Sequence, residues 1–207
     1  MSALRIIGVL ACLWLMQPQL ALAAPELALL SSDRSETLPL AQPEWPLPTD
    51  PGMVFFLQRS MNSNTVVYAA RYDAAGQLQT DRPIDAFWRR YNDEGARRGL
   101  KKNLRFFEAR LAYGVKVRED EADAEAFEVR FAALPHLPVT LRQDGDKSAA
   151  LWARIEGRDY RLVYGYVEID ENGLIPKVDR LRLYTLDAKT GSYVTHIISV
   201  TGGAIHE

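Results

Sequence analysis

The sequence predicts a mainly β fold: an antiparallel up-and-down meander rolled into a curled sheet or a barrel-like (calycin-like) domain with one short helix. Three observations lead there. Side-chain character alternates with period two from about Met53 almost to the C-terminus. Turn signals punctuate the runs, with Asp144-Gly145 and Asn172-Gly173 suited to tight hairpins and Lys189-Thr190-Gly191 to a slightly longer one. No internal repeat and no parallel βαβ pattern breaks the series. Roughly eight to ten strands would leave two exposed edges unless the sheet curls or closes. A two-sheet β-sandwich is the alternative.

The first element, residues 1–23, reads as a signal peptide. Arg5 precedes an apolar run from Ile6 to Met16, shorter than the roughly 18 residues of a membrane span. Gln17-Pro18-Gln19 breaks that run, and Ala21-Leu22-Ala23 supplies the small residues a signal peptidase requires. Cleavage is expected near Ala23, with Ala24 the neighbouring choice. The sole cysteine, Cys12, follows Val9-Leu10-Ala11 in a faint lipoprotein pattern, but the apolar stretch before it is short. Once the signal is removed no cysteine remains for a disulfide, a thiolate metal site or a thiol nucleophile.

Loss of Arg5 with the signal leaves 24 basic against 27 acidic residues. A chain so close to neutral does not present the concentrated basic surface that nucleic acid rewards. No transmembrane segment is expected after processing. The address implied is periplasmic or secreted.

Residues 24–51 follow as a proline-rich leader or tether. Pro39, Pro43, Pro46, Pro48 and Pro51 lie among Ser, Glu and Thr, which argues against a helix or a sheet ladder. Trp45 is its one candidate docking residue. Residues 52–207 then read as a single β-rich domain.

Val54-Phe55-Phe56-Leu57 opens its first strand and Thr65-Val66-Val67-Tyr68-Ala69 its second, with a polar loop between or overlapping them. Ala86, Phe87 and Trp88 belong to a short third. Asn92 to Gly99 has the composition of a short helix. Leu104 to Val117 fits either period; the alternating set Phe107, Ala109, Leu111, Tyr113, Val115 and Val117 is longer, so a strand bent at Gly114 is expected. Phe127/Val129/Phe131, Val139/Leu141 and Tyr160/Leu162/Tyr164/Tyr166 each alternate with polar or smaller residues, as strands with one wetter face do.

Chemistry-bearing residues gather around one loop. Arg59, Ser60, Asn62, Ser63 and Asn64 place a guanidinium and two carboxamides between two strands, able to meet a carboxylate, phosphate or sugar or, more simply, to cap their own turn. Tyr68, Trp88 and Tyr113 are among the aromatics that could wall a pocket or pack a sheet face. His136, His196 and His206 are too scattered for a metal motif, and His196, between Val194 and Ile198, reads as a hydrogen-bonded structural histidine. Glu119 to Glu125 lacks the spacing of a calcium loop. No hydrolase motif or phosphate-binding loop is present, so no catalytic residue, metal or cofactor is assigned.

Arg59-x-x-Asn62-x-Asn64-x-x-x-Tyr68, then Pro83-Ile84-x-x-x-Trp88 and Ala112-Tyr113-Gly114, resembles an exported bacterial family known as domain of unknown function 4833. The resemblance covers roughly Met53 to Ser199. It implies a secreted β-rich domain in which Arg59, Asn62, Asn64, Tyr68, Trp88 and Tyr113 form one constellation, an aromatic-walled site with a cationic and amide rim. Three functions fit. The first is a non-catalytic envelope module for a small amphiphilic or anionic ligand, the second an assembly protein binding an envelope partner through a sheet edge or the leader. The third is a hydrolase with two carboxylates from separate strands.

Overall fold

The structure, a computed structural model, describes residues 29–92, 99–121, 123, 125–170 and 177–199. The expected signal peptide, the Asn172-Gly173 turn and most of the Asn92–Gly99 segment lie outside them. Twelve strands, all in one hydrogen-bonded sheet, make up the described fold: β1 (Leu29–Ser35), β2 (Met53–Arg59), β3 (Asn62–Ala70), β4 (Ile84–Arg90), β5 (Leu100–Asn103), β6 (Val115–Glu119), β7 (Ala126–Phe131), β8 (Leu134–Gly145), β9 (Ser148–Ile155), β10 (Arg158–Asp170), β11 (Lys177–Asp187) and β12 (Tyr193–Ser199). Nine of them, in the order β5-β4-β3-β2-β10-β9-β8-β7-β6, curl into a half-barrel, as the alternation predicts. Among the described residues, no helix is long and apolar enough to cross a membrane.

The meander departs from simple up-and-down order at β10. Its first residues pair antiparallel with β9, whereas Tyr164 to Val167 pair parallel with Phe56 to Arg59 of β2. A thirteen-residue strand has edge enough for two neighbours in succession. Its other edge carries β11, and β12 and β1 continue that wing. No local turn signal can encode a parallel pair more than 100 residues apart, which is why the sequence reads as wholly antiparallel.

The interior is packed. Phe55, Tyr68 and Phe131, from β2, β3 and β7, form an aromatic triangle with ring centroids 5.1 to 5.6 Å apart. Val66, Val129, Val139, Leu141 and Leu151 surround it, almost wholly shielded from solvent. Gly165 lies against this packing: a Cβ there would stand 2.6 Å from Leu57 Cδ1 and 3.3 Å from Phe55 Cζ, so those side chains would have to shift.

The leader is a correction to the sequence reading. Its residues Leu29–Ser35 form β1 against β12, and the chain after them straps across the outer face of the sheet. There Phe56, Tyr164 and Tyr184 stack, with centroids 5.0 and 4.1 Å apart and planes within 9°. Leu38, Leu40, Ala41 and Trp45 cover the stack. Tyr164 donates its hydroxyl hydrogen to the Pro39 carbonyl (2.7 Å) and accepts from the Ala41 amide (2.8 Å). Asp50, paired with Arg89, pins the far end of the strap. Prolines forbid ladder bonds at their own nitrogens, but they do not forbid packing or the donation of carbonyl acceptors.

His196 is the structural histidine the sequence suggests. It is almost fully buried on β12, with Tyr160 edge-on to its ring at 4.8 Å. Thr185 gives its hydroxyl hydrogen to the Val194 carbonyl and so accepts from Nε2–H of His196 at 3.2 Å, leaving Nδ1 to accept from the Ser32 hydroxyl at 3.0 Å. That arrangement requires the neutral ring. Burial pushes its pKa down to about 4, with the charge of Arg34 adding to the effect.

Candidate functional site

The open seam of the half-barrel lies between its edge strands β5 and β6, and the chain joining them crosses it. That crossing is a cap: a helical turn α1 (Phe106–Glu108) running into a π turn (Ala109–Tyr113). This overturns the expected strand over Phe107 to Tyr113, although the break at Gly114 is where the sequence places it. Long-range bonds decide the local conformation. Glu108 accepts from the Trp88 indole (3.1 Å) and from the Arg105 amide (2.7 Å), and Tyr68 donates to the Tyr113 carbonyl (2.9 Å). Glu108, three residues after Arg105, has the spacing of a helix start and, with the helical period that Leu104, Phe107 and Leu111 also fit, is the signal that would have favoured helix here.

Gly114 closes the cap. Its backbone is extended, and its amide donates to the Ala109 carbonyl at 3.0 Å. An added Cβ would lie 2.0 Å from that carbonyl oxygen, inside a backbone that has no room to yield. Gly114→Ala is therefore expected to open the π turn and cost about 1–3 kcal/mol, read as a lower urea midpoint at unchanged slope.

The six residues singled out in the sequence do meet. Arg59 lies over the Trp88 ring at 4.7 Å and donates to the Tyr113 hydroxyl (3.4 Å) and to Oδ1 of Asn62 (3.3 Å). Trp88 and Tyr113 stand edge to face at 5.1 Å. The Tyr68 hydroxyl is wholly buried, and desolvation pushes its pKa up, so it remains a neutral donor. Asn62 Oδ1 also accepts from the Asn64 amide, while buried Asn64 turns its own Oδ1 to the amides of Tyr91 and Asn92. Arg59 has neutral oxygen partners and no carboxylate among the described residues. Its Nε is buried and has no hydrogen-bond partner among the described residues.

These contacts form a clamp more than an open rim. Asn64 organises a turn, while Arg59, Tyr68 and Trp88 hold Glu108 and Tyr113 of the cap. The space lies on the other flank of that cap. A cleft of about 590 Å³ opens along the seam, with Ile84, Ala86, Leu104, Ala109, Val115 and Val117 as its apolar walls. Asp81, Arg82 and Asp85 supply its charged lining, with Arg82 ion-paired to Asp85. None of the six clamp residues lines it. Sequence reasoning missed these walls because Ala, Val and Leu carry no chemical signature, and the family motifs reach the cleft only through Pro83, Ile84 and Gly114.

Over residues 55–196 the chain matches the family described as Domain of unknown function (DUF4833). No curated protein and no solved structure matches it.

Proposed function

The chain belongs to the DUF4833 family, a description that names no activity, and from its geometry we propose an exported cell-envelope protein that binds a small amphiphile without catalysis. The seam cleft carries this reading. Its volume, about 590 Å³, falls in the range of small-molecule sites, roughly 300–1,000 Å³. Its exposed lining is more polar than apolar: Asp81, Arg82 and Asp85 offer donors and acceptors to a polar head, and the side chains of Ala86, Leu104, Val115 and Val117 leave a smaller apolar part for a short hydrocarbon or ring. The clamp sets the position of one wall, since Ala109 and Gly114 belong to the cap it holds.

A second seat, for an anionic group on Arg59 itself, is favoured by the absence of a carboxylate partner among the described residues. Native mass spectrometry of the protein from its own envelope fraction separates the two. The cleft reading expects a reproducible small-molecule adduct that Ala86→Leu abolishes by filling the cleft. Arg59→Ala is expected to weaken it about tenfold, together with a loss of about 1–2 kcal/mol in stability from the broken stacking and hydrogen bonds. An adduct lost in Arg59→Ala at unchanged stability, but kept in Ala86→Leu, would transfer the ligand to the arginine. No adduct in any form would remove both seats.

A further inference from the structure

The outer side of the cap is apolar where solvent should favour polar groups. Seven large hydrophobic residues are exposed among the described residues, and four of them, Leu100, Phe106, Phe107 and Leu111, fall within one twelve-residue stretch. Phe106, Phe107 and Leu111 are 67%, 70% and 62% exposed. Phe107 and Leu111 are one turn apart, and the Phe106 and Phe107 rings touch edge to face at 5.4 Å. Single exposed hydrophobics need no explanation, but a cluster on a projecting turn does.

Charge along this stretch of chain is one-sided. Lys101, Lys102, Arg105 and Arg110 are all exposed, with the Lys101 ammonium 3.8 Å over the Phe87 ring and the Arg110 guanidinium 6.0 Å from the Phe106 ring. The one acid between Leu100 and Tyr113 is Glu108, which is turned inward to the Trp88 indole and the Arg105 amide. Two aromatic rings and a leucine at the tip of a rigid turn, fringed by cations, match the boundary between acyl chains and anionic headgroups.

We propose that the cap docks this protein on an anionic lipid surface, with Phe106, Phe107 and Leu111 entering the acyl boundary and Lys101, Lys102, Arg105 and Arg110 meeting lipid phosphates. The clamp behind it makes the tip rigid, so little ordering entropy is lost on insertion. Docking holds the seam cleft beside the bilayer, yet it does not depend on the cleft being occupied.

Co-sedimentation tests this with purified protein, its N-terminus read by mass spectrometry, and two kinds of vesicle: phosphatidylethanolamine with phosphatidylglycerol, and phosphatidylcholine alone. Retention is expected on the anionic vesicles only, weakening as salt rises. The double variant F106S/F107S should lose it by about tenfold or more, and K101E/R110E by a similar factor. Circular dichroism confirms that both variants remain folded. Equal retention of wild type and F106S/F107S, equal retention on both vesicle types, or no retention of folded wild type would each overturn the proposal. So would a concentration-dependent dimer that disappears in F106S/F107S without any vesicle binding, which would make a second copy the occupant. Vesicle binding is measured with no cleft ligand present, so failure of the amphiphile reading leaves this result standing.

Discussion

Tyr164→Ala is expected to destabilise the protein by about 3–5 kcal/mol and to free the strap from the sheet. Tyr164 is fully buried between Phe56 and Tyr184, in contact with both rings. Its hydroxyl satisfies the Pro39 carbonyl and the Ala41 amide, two backbone groups without a ladder partner. Truncation removes the middle ring of the stack and leaves both groups to find water. Tyr164→Phe keeps the stack and loses only the hydroxyl, so about 1–2 kcal/mol is expected from it. Urea unfolding measures both, and limited proteolysis within residues 36–49 reports the strap, which should be cut in the alanine variant far faster than in the phenylalanine one. Equal costs for the two substitutions would show that the hydroxyl, not the ring stack, fastens the strap.

The second large effect is a loss of stability in mild acid that traces to His196. The unfolded ring titrates near its ordinary 6.5 and the folded one near 4, because burial penalises the imidazolium. At pH 7 both states are neutral and the native hydrogen bonds are intact. As pH falls through 6.5 the unfolded chain gains a proton that the folded one refuses, so stability declines. The decline stops below about 4, after a total loss of about 3 kcal/mol. Carboxylates titrate in the same region, so the informative quantity is the difference between wild type and His196→Gln, a substitution that keeps a donor and an acceptor for Thr185 and Ser32 but no titration. That difference should change steadily between pH 6.5 and 4 and be flat on either side. A constant difference across this range would show that the ring accepts its proton in place.

Much of the fold is legible in the residues because alternation is a local property. Phe127, Val129 and Phe131 lie inward on β7, and Val139 and Leu141 on β8, as their spacing requires. Turns are legible only to within a residue or two. The β8–β9 hairpin turns on Asp146-Lys147, with Lys147 at φ 50°, two residues beyond the Asp144-Gly145 pair that signals it. Glu156-Gly157, with both φ angles positive, makes a tight β9–β10 turn that the sequence reading passes over. What stays hidden is whatever depends on distant partners. The cap is helical because Trp88 and Tyr68 bind it, and the strap from Leu38 to Trp45 lies on the sheet because three tyrosines and a phenylalanine await it. The candidate cluster is a middle case. The family resemblance implied that Arg59, Asn62, Asn64, Tyr68, Trp88 and Tyr113 belong together, but not that they brace a turn while the cleft opens on its far flank.

The pairing of β1 with β12 sets an order of events. Among the described residues Leu29–Ser35 pairs with Tyr193–Ser199 alone, and β2, though it pairs with the adjacent β3 on one edge, waits for the middle of β10 on the other. During N-to-C synthesis β1 therefore emerges long before its partner strand. Closing loops of such length is slow, and ladders assembled from the two ends of a chain form late. Until β12 forms, the strap that follows β1 is not anchored, and the Phe56, Tyr164 and Tyr184 face stays an uncovered aromatic surface.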